Sequence, residues 1–311
     1  IDGNFLRNAW PIVLGEISAI EKIKETNRAF QTPPQLEDIF TVASEKLDRE
    51  SILDFVQAMC DISKQELNEK PARISMCQKL SVVAHFNLKR EHFIWTKVWD
   101  IIGNFLKYVG STYYLEIAKI AVNVLMQLAS KFLDQKELIE YHFQEHFMSP
   151  FYDIFEAQSD INVKLFVLEN IYQLIERKGQ TIQSGWTTIF EILTNATEFP
   201  ETQNSCFTIV TFLIDQYLSI LSIHYIHIMS IILYFVRLAP EELKIAAIPL
   251  YQKVAEFLVL NDEMTKEQID QWNTLFQALK DCSIEPLPKV RDSAHEVFLE
   301  IMKKAIRNKP N

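Results

Sequence analysis

The residues whose types and spacing most clearly suggest catalysis or metal binding are His142, Glu145 and His146, which lie in the sequence His-Phe-Gln-Glu-His. This order matches His-x-x-Glu-His, the zinc signature of inverted zincins, in which two imidazoles bind zinc and the glutamate is the general base. Positions i and i+4 share a helix face, so the spacing allows both rings to reach one ion. However, no marked acidic motif follows to supply a further zinc ligand. We keep a zinc hydrolase using His142 and His146 as an alternative, and we predict no metal, no cofactor and no catalysis.

The other reactive residue types form no catalytic pattern. The four cysteines are scattered without a Cys-x-x-Cys pair, and three lie inside apolar helical patterns, where we expect small buried thiols. The sequence contains no glycine-rich phosphate loop and no nucleophile elbow. We interpret the scattered Asp and Glu residues as solvated helix faces.

Charge excludes some classes of partner. The formal net charge is −10, and the acidic residues are spread along the chain. Nucleic-acid binding needs a basic footprint, so we predict none. For the same reason we expect membrane contact to be weak or indirect.

Apolar periodicity predicts helices along the whole chain and no strand. Only six glycines occur, fewer than sheet proteins usually need for their turns. The predicted helices cover residues 5–23, 35–47, 49–68, 72–88, 91–109, 112–133, 135–158, 161–178, 182–197, 200–220, 223–238, 241–259, 265–281 and 287–307. We expect Gly110 to end one helix in a left-handed conformation, Ser111 to cap the next, and Pro150 to interrupt the helix around it.

An internal echo indicates helical repeats. The apolar positions of residues 162–171 align with those of residues 289–298, and Val163 and Val290 are 127 positions apart. That distance equals about three units of the ~40–47 residues typical of HEAT or armadillo repeats. We predict an all-α, HEAT/armadillo-like solenoid of about fourteen helices, a single region over 1–311 with sub-regions 1–158 and 159–311. Because the chain starts at Ile1 without methionine, we expect a fragment of a larger protein.

The 21 residues from 216 to 236 carry no formal charge. Polar residues interrupt this run about once per helical turn, so we expect two buried helices and no membrane span. Residues 180–236 contain no Lys or Arg and only four acids, which suits a protein contact better than an anionic lipid surface.

Several segments carry a family resemblance. They read LDRESILDFVQAMCDIS at 47–63, QKL at 78–80, IWTKVW at 94–99, QLASKFL at 127–133, FQ at 143–144, PF at 150–151 and SGW at 184–186. In this order the chain resembles the large guanine-nucleotide exchange factors for Arf GTPases, in their region downstream of the catalytic Sec-seven domain. It also resembles their Golgi relative Mon-two, and the sequence does not separate the two.

This resemblance implies a non-catalytic regulatory or scaffold region. In such proteins the region helps to dock small GTPases at Golgi membranes. It implies an Arf-family or Arf-like GTPase as partner, with a Dopey-type protein or self-association as further partners, at the cytoplasmic side of trans-Golgi or endosomal membranes. An unrelated HEAT-repeat adaptor, for example in nuclear transport, is the remaining alternative.

The partner-binding residues that we nominate are Gln144, Phe147, Trp186 and Glu191. They lie near the exposed parts of residues 142–151 and in the acidic segment without lysine.

Overall fold

The computed structural model describes residues 3–27, 30, 31, 33, 35–88, 90–134, 142–259 and 266–307. Those residues contain fourteen α-helices, three short 3-10 helices and no strand. The helices are α1 Trp10–Thr26, α2 Gln35–Lys46, α3 Ser51–Leu67, α4 Ser75–Asn87, α5 His92–Thr112, α6 Leu115–Phe132, α7 Phe143–Ala157, α8 Ile161–Lys178, α9 Gly185–Thr197, α10 Pro200–Tyr217, α11 Tyr225–Leu238, α12 Glu241–Val259, α13 Lys266–Ser283 and α14 Pro288–Arg307. The predicted all-α class is therefore confirmed.

The chain forms two compact units, Ile1–Asn170 and Ile171–Asn311, and the division lies within α8. We call them unit 1 and unit 2. The predicted sub-regions 1–158 and 159–311 stay a prediction, because the two units are defined by compactness and not by independent folding.

Helices in unit 1 pack in two alternating layers. The odd-numbered helices α1, α3, α5 and α7 pack each against the next, and so do α2, α4 and α6. Neighbours in the chain, such as α3 with α4 and α5 with α6, connect the two layers. Polar contacts between helices two apart have a nearly constant separation, 45 residues for Tyr113 to Asn68 and 48 for Gln158 to Gly110. This spacing is that of a two-helix repeat, as the sequence predicts.

Unit 2 has the same alternation. Here α9, α11 and α13 pack in succession, as do α10, α12 and α14. The two segments of the internal echo begin alike, because Val163 and Val290 are both fully buried and each lies two residues after its helix begins. Three helix pairs separate the starts of α8 and α14, so the HEAT/armadillo-like repeat is confirmed.

The apolar periodicity explains why these helices pack. In α6 one helical face is buried, and its members are Ile117, Ala121, Val124, Leu125, Leu128 and Phe132. Glu116, Asn123 and Lys131 are exposed on the other side of α6. An apolar stripe of this width needs more than one neighbouring helix to cover it, and α6 packs against α4, α5 and α7.

The predicted helix end at Gly110 is wrong. Helix α5 continues to Thr112, and no described glycine has a positive φ. A Cβ atom at Gly110 would clash with the side chain of Ile154, so the glycine permits close approach of α5 to α7. The side chain of Gln158 caps α5 by donating to the carbonyl oxygens of Gly110 at 2.7 Å and Tyr113 at 3.0 Å. Ser111 lies inside α5 and caps no helix start.

The predicted interruption at Pro150 is also wrong. Helix α7 runs through Pro150, and residues 135–141 of the predicted helix lie outside the described residues. Proline lacks the N–H that would bond to the carbonyl four residues earlier, which here belongs to His146. That oxygen accepts instead from the hydroxyl of Ser149 at 3.0 Å and from the indole N–H of Trp99 at 3.5 Å. The lost helical bond is therefore replaced.

The uncharged run from 216 to 236 is divided between α10, the 3-10 helix Ile220–His224 and α11. Among the described residues, no helix combines the length and apolarity that crossing a membrane requires.

One acidic residue contradicts the expectation of solvated helix faces. Glu66 of α3 is only 1% exposed. Its carboxylate accepts from the Ser18 hydroxyl at 2.5 Å and the Met76 backbone N–H at 2.9 Å, and it lies 3.4 Å from the guanidinium of Arg73. Burial nevertheless raises the pKa of Glu66. These bonds connect α1, α3 and the start of α4, because a buried carboxylate needs partners for each oxygen.

Replacing Gly110 by alanine tests the close approach of α5 to α7. We expect Gly110→Ala to lower the free energy of unfolding by about 1–3 kcal/mol, because the methyl group overpacks against Ile154. Gly15→Ala in α1 is the matched control, since its Cβ would meet no atom nearer than 3.8 Å. Gly15→Ala should raise the free energy of unfolding by about 0.5–1 kcal/mol, because alanine loses less backbone entropy than glycine when a helix forms. Urea denaturation measures both, and equal effects of the two substitutions would contradict the account.

Candidate functional site

The histidines of the zincin-like motif are placed at the start of α7. His142 occupies the N-cap position, and the Nε2 atom of His146 lies 2.8 Å from the Asp100 carboxylate of α5. Within the described part of the chain, no three or more His, Cys, Asp or Glu residues are grouped so that they could hold a metal ion. The four cysteines are buried and unbridged, and burial raises the pKa of Cys77 to about 12. These groups are therefore poor nucleophiles at neutral pH.

The four nominated contact residues lie in two environments. Gln144, Phe147 and Trp186 are buried, with at most 2% of the residue exposed, whereas Glu191 is exposed on α9. Their role in partner binding stays a prediction. In this structure the buried three contribute to packing, and the solvent-accessible side chains beside them belong to other residues.

Phe147 belongs to an aromatic cluster that connects three helices of unit 1. Its ring stacks on Trp99 of α5 at 4.0 Å and on Phe132 of α6 at 4.2 Å, measured between ring centroids. Trp95 adds a contact to Phe132 at 5.4 Å. The burial of large apolar surface and the ring geometry together hold α5, α6 and α7 in position. Sequence order alone does not reveal this cluster, because Trp99 and Phe147 are 48 positions apart.

Outward from this cluster, unit 1 presents a polar surface that we call the α3–α5–α7 face. We define it by exposed side chains of these three helices, namely Gln57, Asp61, Asp100, Asn104, Lys107 and His146. Two pairs bridge α5 and α7, the Asp100–His146 pair and the Lys107–Asp153 ion pair at 3.0 Å. A cavity of about 260 Å³ between α3 and α5 has Gln57, Asp100 and Asn104 in its lining.

The face also carries an aromatic side chain. Tyr108 of α5 is 41% exposed, and the ammonium of Lys64 lies 5.5 Å from the centre of its ring. Tyrosine is enriched at protein–protein interfaces, and charges of both signs can add specificity to such a surface. The sequence contains a signal for this face, because Asp100, Asn104 and Lys107 recur at four- and three-residue steps opposite the apolar side of α5. None of the four nominated contact residues belongs to this face.

In unit 2, Glu191 adjoins a second aromatic group. The ring of Phe190 stacks with His224 at 5.2 Å and with His227 at 5.7 Å. Burial lowers the pKa of His224, and the neighbouring His227 lowers it further. Trp186 packs nearby against Tyr217, with ring centroids 6.1 Å apart.

The fold defines the class, which is an all-α helical-repeat protein, and its described surface includes the polar α3–α5–α7 face of unit 1. Comparison with known proteins is more specific. Residues 131–212, which include α7, α8 and α9, match the family model described as Mon2/Sec7/BIG1-like, HDS.

Curated relatives agree with this match. The chain is 29% identical over 185 residues to brefeldin A-inhibited guanine nucleotide-exchange protein 2 of Arabidopsis thaliana, covering 59% of this chain and 10% of that protein. It is 33% identical over 166 residues to ADP-ribosylation factor guanine nucleotide-exchange factor sec72 of Schizosaccharomyces pombe, covering 52% and 9%. The chain thus spans about a tenth of the length of these relatives. Its resemblance to the large Arf exchange factors is confirmed.

A comparison with solved structures finds a designed armadillo repeat protein. It is 16% identical in sequence, with a TM-score of 0.29, over 79% of this chain and 99% of that one.

Truncation of Phe147 distinguishes a packing role from a surface role. We expect Phe147→Ala to lower the free energy of unfolding by about 3–5 kcal/mol, because it leaves a cavity between Trp99 and Phe132. Glu191→Ala, at an exposed position, should change it by less than about 0.5 kcal/mol. Chemical denaturation followed by circular dichroism measures both, and a Phe147→Ala effect as small as that of Glu191→Ala would refute the packing assignment.

The buried His224 predicts a dependence of stability on pH. Its folded-state pKa lies below the unfolded value of about 6.5, so the unfolded chain binds more protons between these two values. The free energy of unfolding should therefore fall as the pH is lowered through this interval. His224→Phe, which keeps an aromatic ring beside Phe190, should show a flatter profile between about pH 7 and pH 5. Parallel pH profiles of the two proteins would exclude the effect.

Proposed function

We propose that this chain is a non-catalytic regulatory and scaffold region of a large Arf exchange factor or a Mon-two-type protein, and that it binds an Arf-family or Arf-like small GTPase. The GTPase-bound form would act in vesicle traffic at trans-Golgi or endosomal membranes. The observation that carries the proposal is the α3–α5–α7 face of unit 1, part of which lies in the segment that matches the HDS family model.

The size of this face suits a folded partner. Helix α5 has 21 residues and is therefore about 30 Å long, and helices packed at about 8–10 Å place α3, α5 and α7 across about 20 Å. A standard interface uses about 800 Å² of each partner, which is of the same order. A GTPase is a globular partner of this kind, whereas a short peptide would occupy only a fraction of the face.

The charge pattern favours a protein over a lipid or nucleic acid. Asp61, Asp100 and Asp153 alternate on this face with Lys64 and Lys107, and His146 is paired with Asp100. A surface with both signs gives specificity by electrostatic complementarity, and the pairs across α5 and α7 keep its side chains ordered before binding.

Membrane recruitment would then be indirect. The chain as a whole has a net charge of −10, which does not favour a broad interaction with anionic lipid. A GTPase that is itself attached to the membrane would bring the region to the Golgi surface, which supports a peripheral location.

The test is binding of the chain to a panel of Arf and Arf-like GTPases, each loaded with GDP or with a GTP analogue, by biolayer interferometry. We expect binding to the GTP-loaded form of at least one member. Asn104→Arg on the face should weaken that binding about tenfold or more, because a long charged side chain is inserted into the interface. Asn123→Arg is the matched control, since it makes the same change at an exposed position of α6 in the other layer.

Two outcomes would contradict the proposal. If no GTPase binds in either nucleotide state, direct docking of a GTPase is wrong. Self-association, measured by light scattering, and binding to a Dopey-type partner would then be tested. If both arginine variants weaken binding equally, the GTPase contacts another surface.

A further inference from the structure

Unit 2 contains an apolar groove that the proposed GTPase site does not involve. It lies between α11 and α13 and has a volume of about 460 Å³. Its lining combines the apolar residues Ile226, Met229, Leu233 and Ala278 with five polar residues, among them Asn273 and Gln277. Ile226 is 69% exposed, so a large apolar side chain stands at the rim in contact with water.

The groove extends along about two helical turns of α11. Ile226, Ser230 and Leu233 follow each other at steps of four and three residues, which form one stripe of about 10 Å along α11. An ion pair between Arg237 and Asp281 closes one end, and these residues are 44 positions apart. On α13, Asp270 lies one helical turn before the lining residues Asn273 and Thr274.

Exposed acidic side chains lie on α13 and on α9. Asp270 is exposed on α13, and Glu191 and Glu198 are exposed on α9, the helix that packs on the opposite side of α11. Residues 180–236 contain no Lys or Arg, so most of α11 lacks a cation of its own. Arg237, at the end of α11, is paired with Asp281, and Lys280 is exposed on α13.

We propose that this groove binds a basic amphipathic helix of a partner protein. The stripe on α11 has the spacing with which an incoming helix presents apolar anchors at i, i+3 or i+4, and i+7. Lysine or arginine side chains beside those anchors would face Asp270 on one side and Glu191 and Glu198 on the other. The amide side chains of Asn273 and Gln277 supply donors and acceptors at the rim without adding charge.

The probe is a fluorescein-labelled peptide of about 18 residues, made of leucine and lysine with the leucines on one helical face. Two further peptides are needed: a scrambled version of the same composition and a version with glutamate in place of lysine. We expect saturable fluorescence anisotropy with the first peptide, weaker binding as salt is raised, and at least about tenfold weaker binding of the other two.

Ile226→Lys assigns this binding to the groove, because it removes the exposed apolar anchor and adds a repelling charge. We expect it to weaken binding about tenfold or more. Ile12→Lys is the matched control, since Ile12 of α1 is also 69% exposed and the change is identical. Circular dichroism checks that both variants retain the helical content of the parent.

The proposal is overturned if the first peptide does not bind, if the scrambled peptide binds equally well, or if Ile226→Lys has no larger effect than Ile12→Lys. Self-association that Ile226→Lys abolishes, without peptide binding, would assign the groove to a second copy of the chain and would also overturn it. None of these results depends on whether unit 1 binds a GTPase.

Discussion

Packing between helices two positions apart in the chain is the interaction on which the structure depends. Each helix has an apolar stripe too wide for its hairpin neighbour to cover, so the next helix of the same layer completes the burial. At α5 and α7 this contact is especially close. The absent side chain of Gly110 admits Ile154, the rings of Trp99 and Phe147 stack at 4.0 Å, and Gln158 caps α5 from the end of α7.

This arrangement determines which side chains remain for recognition. A helix that is covered by its hairpin partner and by both neighbours of its own layer retains only one outward strip. In unit 1 the strips of α3, α5 and α7 carry both signs of charge and a half-exposed Tyr108. In unit 2 the strips of α11 and α13 leave a groove with the apolar residues Ile226, Met229 and Leu233 in its lining, and Asp270 is exposed on α13. The two units therefore present chemically different surfaces from the same kind of repeat.

Periodicity predicted the helices well because burial of an apolar stripe is a local property of the sequence. Prediction from periodicity failed where the role of a residue depends on a partner that is distant in the sequence. In the sequence Gly110 resembles the residue that ends a helix. In the structure a glycine is needed there because a Cβ atom would clash with Ile154. Pro150 is tolerated because Trp99 and Ser149 bond to the freed carbonyl of His146. Glu66 is buried because Arg73, Ser18 and the Met76 backbone satisfy it.

The candidate site was less predictable for the same reason. Aromatic residues are favoured both in cores and at interfaces, so Phe147 and Trp186 could not be assigned to either from sequence alone. The polar stripe of Asp100, Asn104 and Lys107 can be recognised in the sequence. Only the packing of α5 between α3 and α7, however, makes this stripe the centre of a wider face.

Hydrogen–deuterium exchange of the chain, alone and with an Arf-family GTPase bound to a GTP analogue, tests the central claim most directly. Binding on the α3–α5–α7 face should slow exchange in peptides from those three helices and leave α2, α4 and α6 unchanged. Slowed exchange confined to α2, α4 and α6, or no change in any helix of unit 1, would contradict the account.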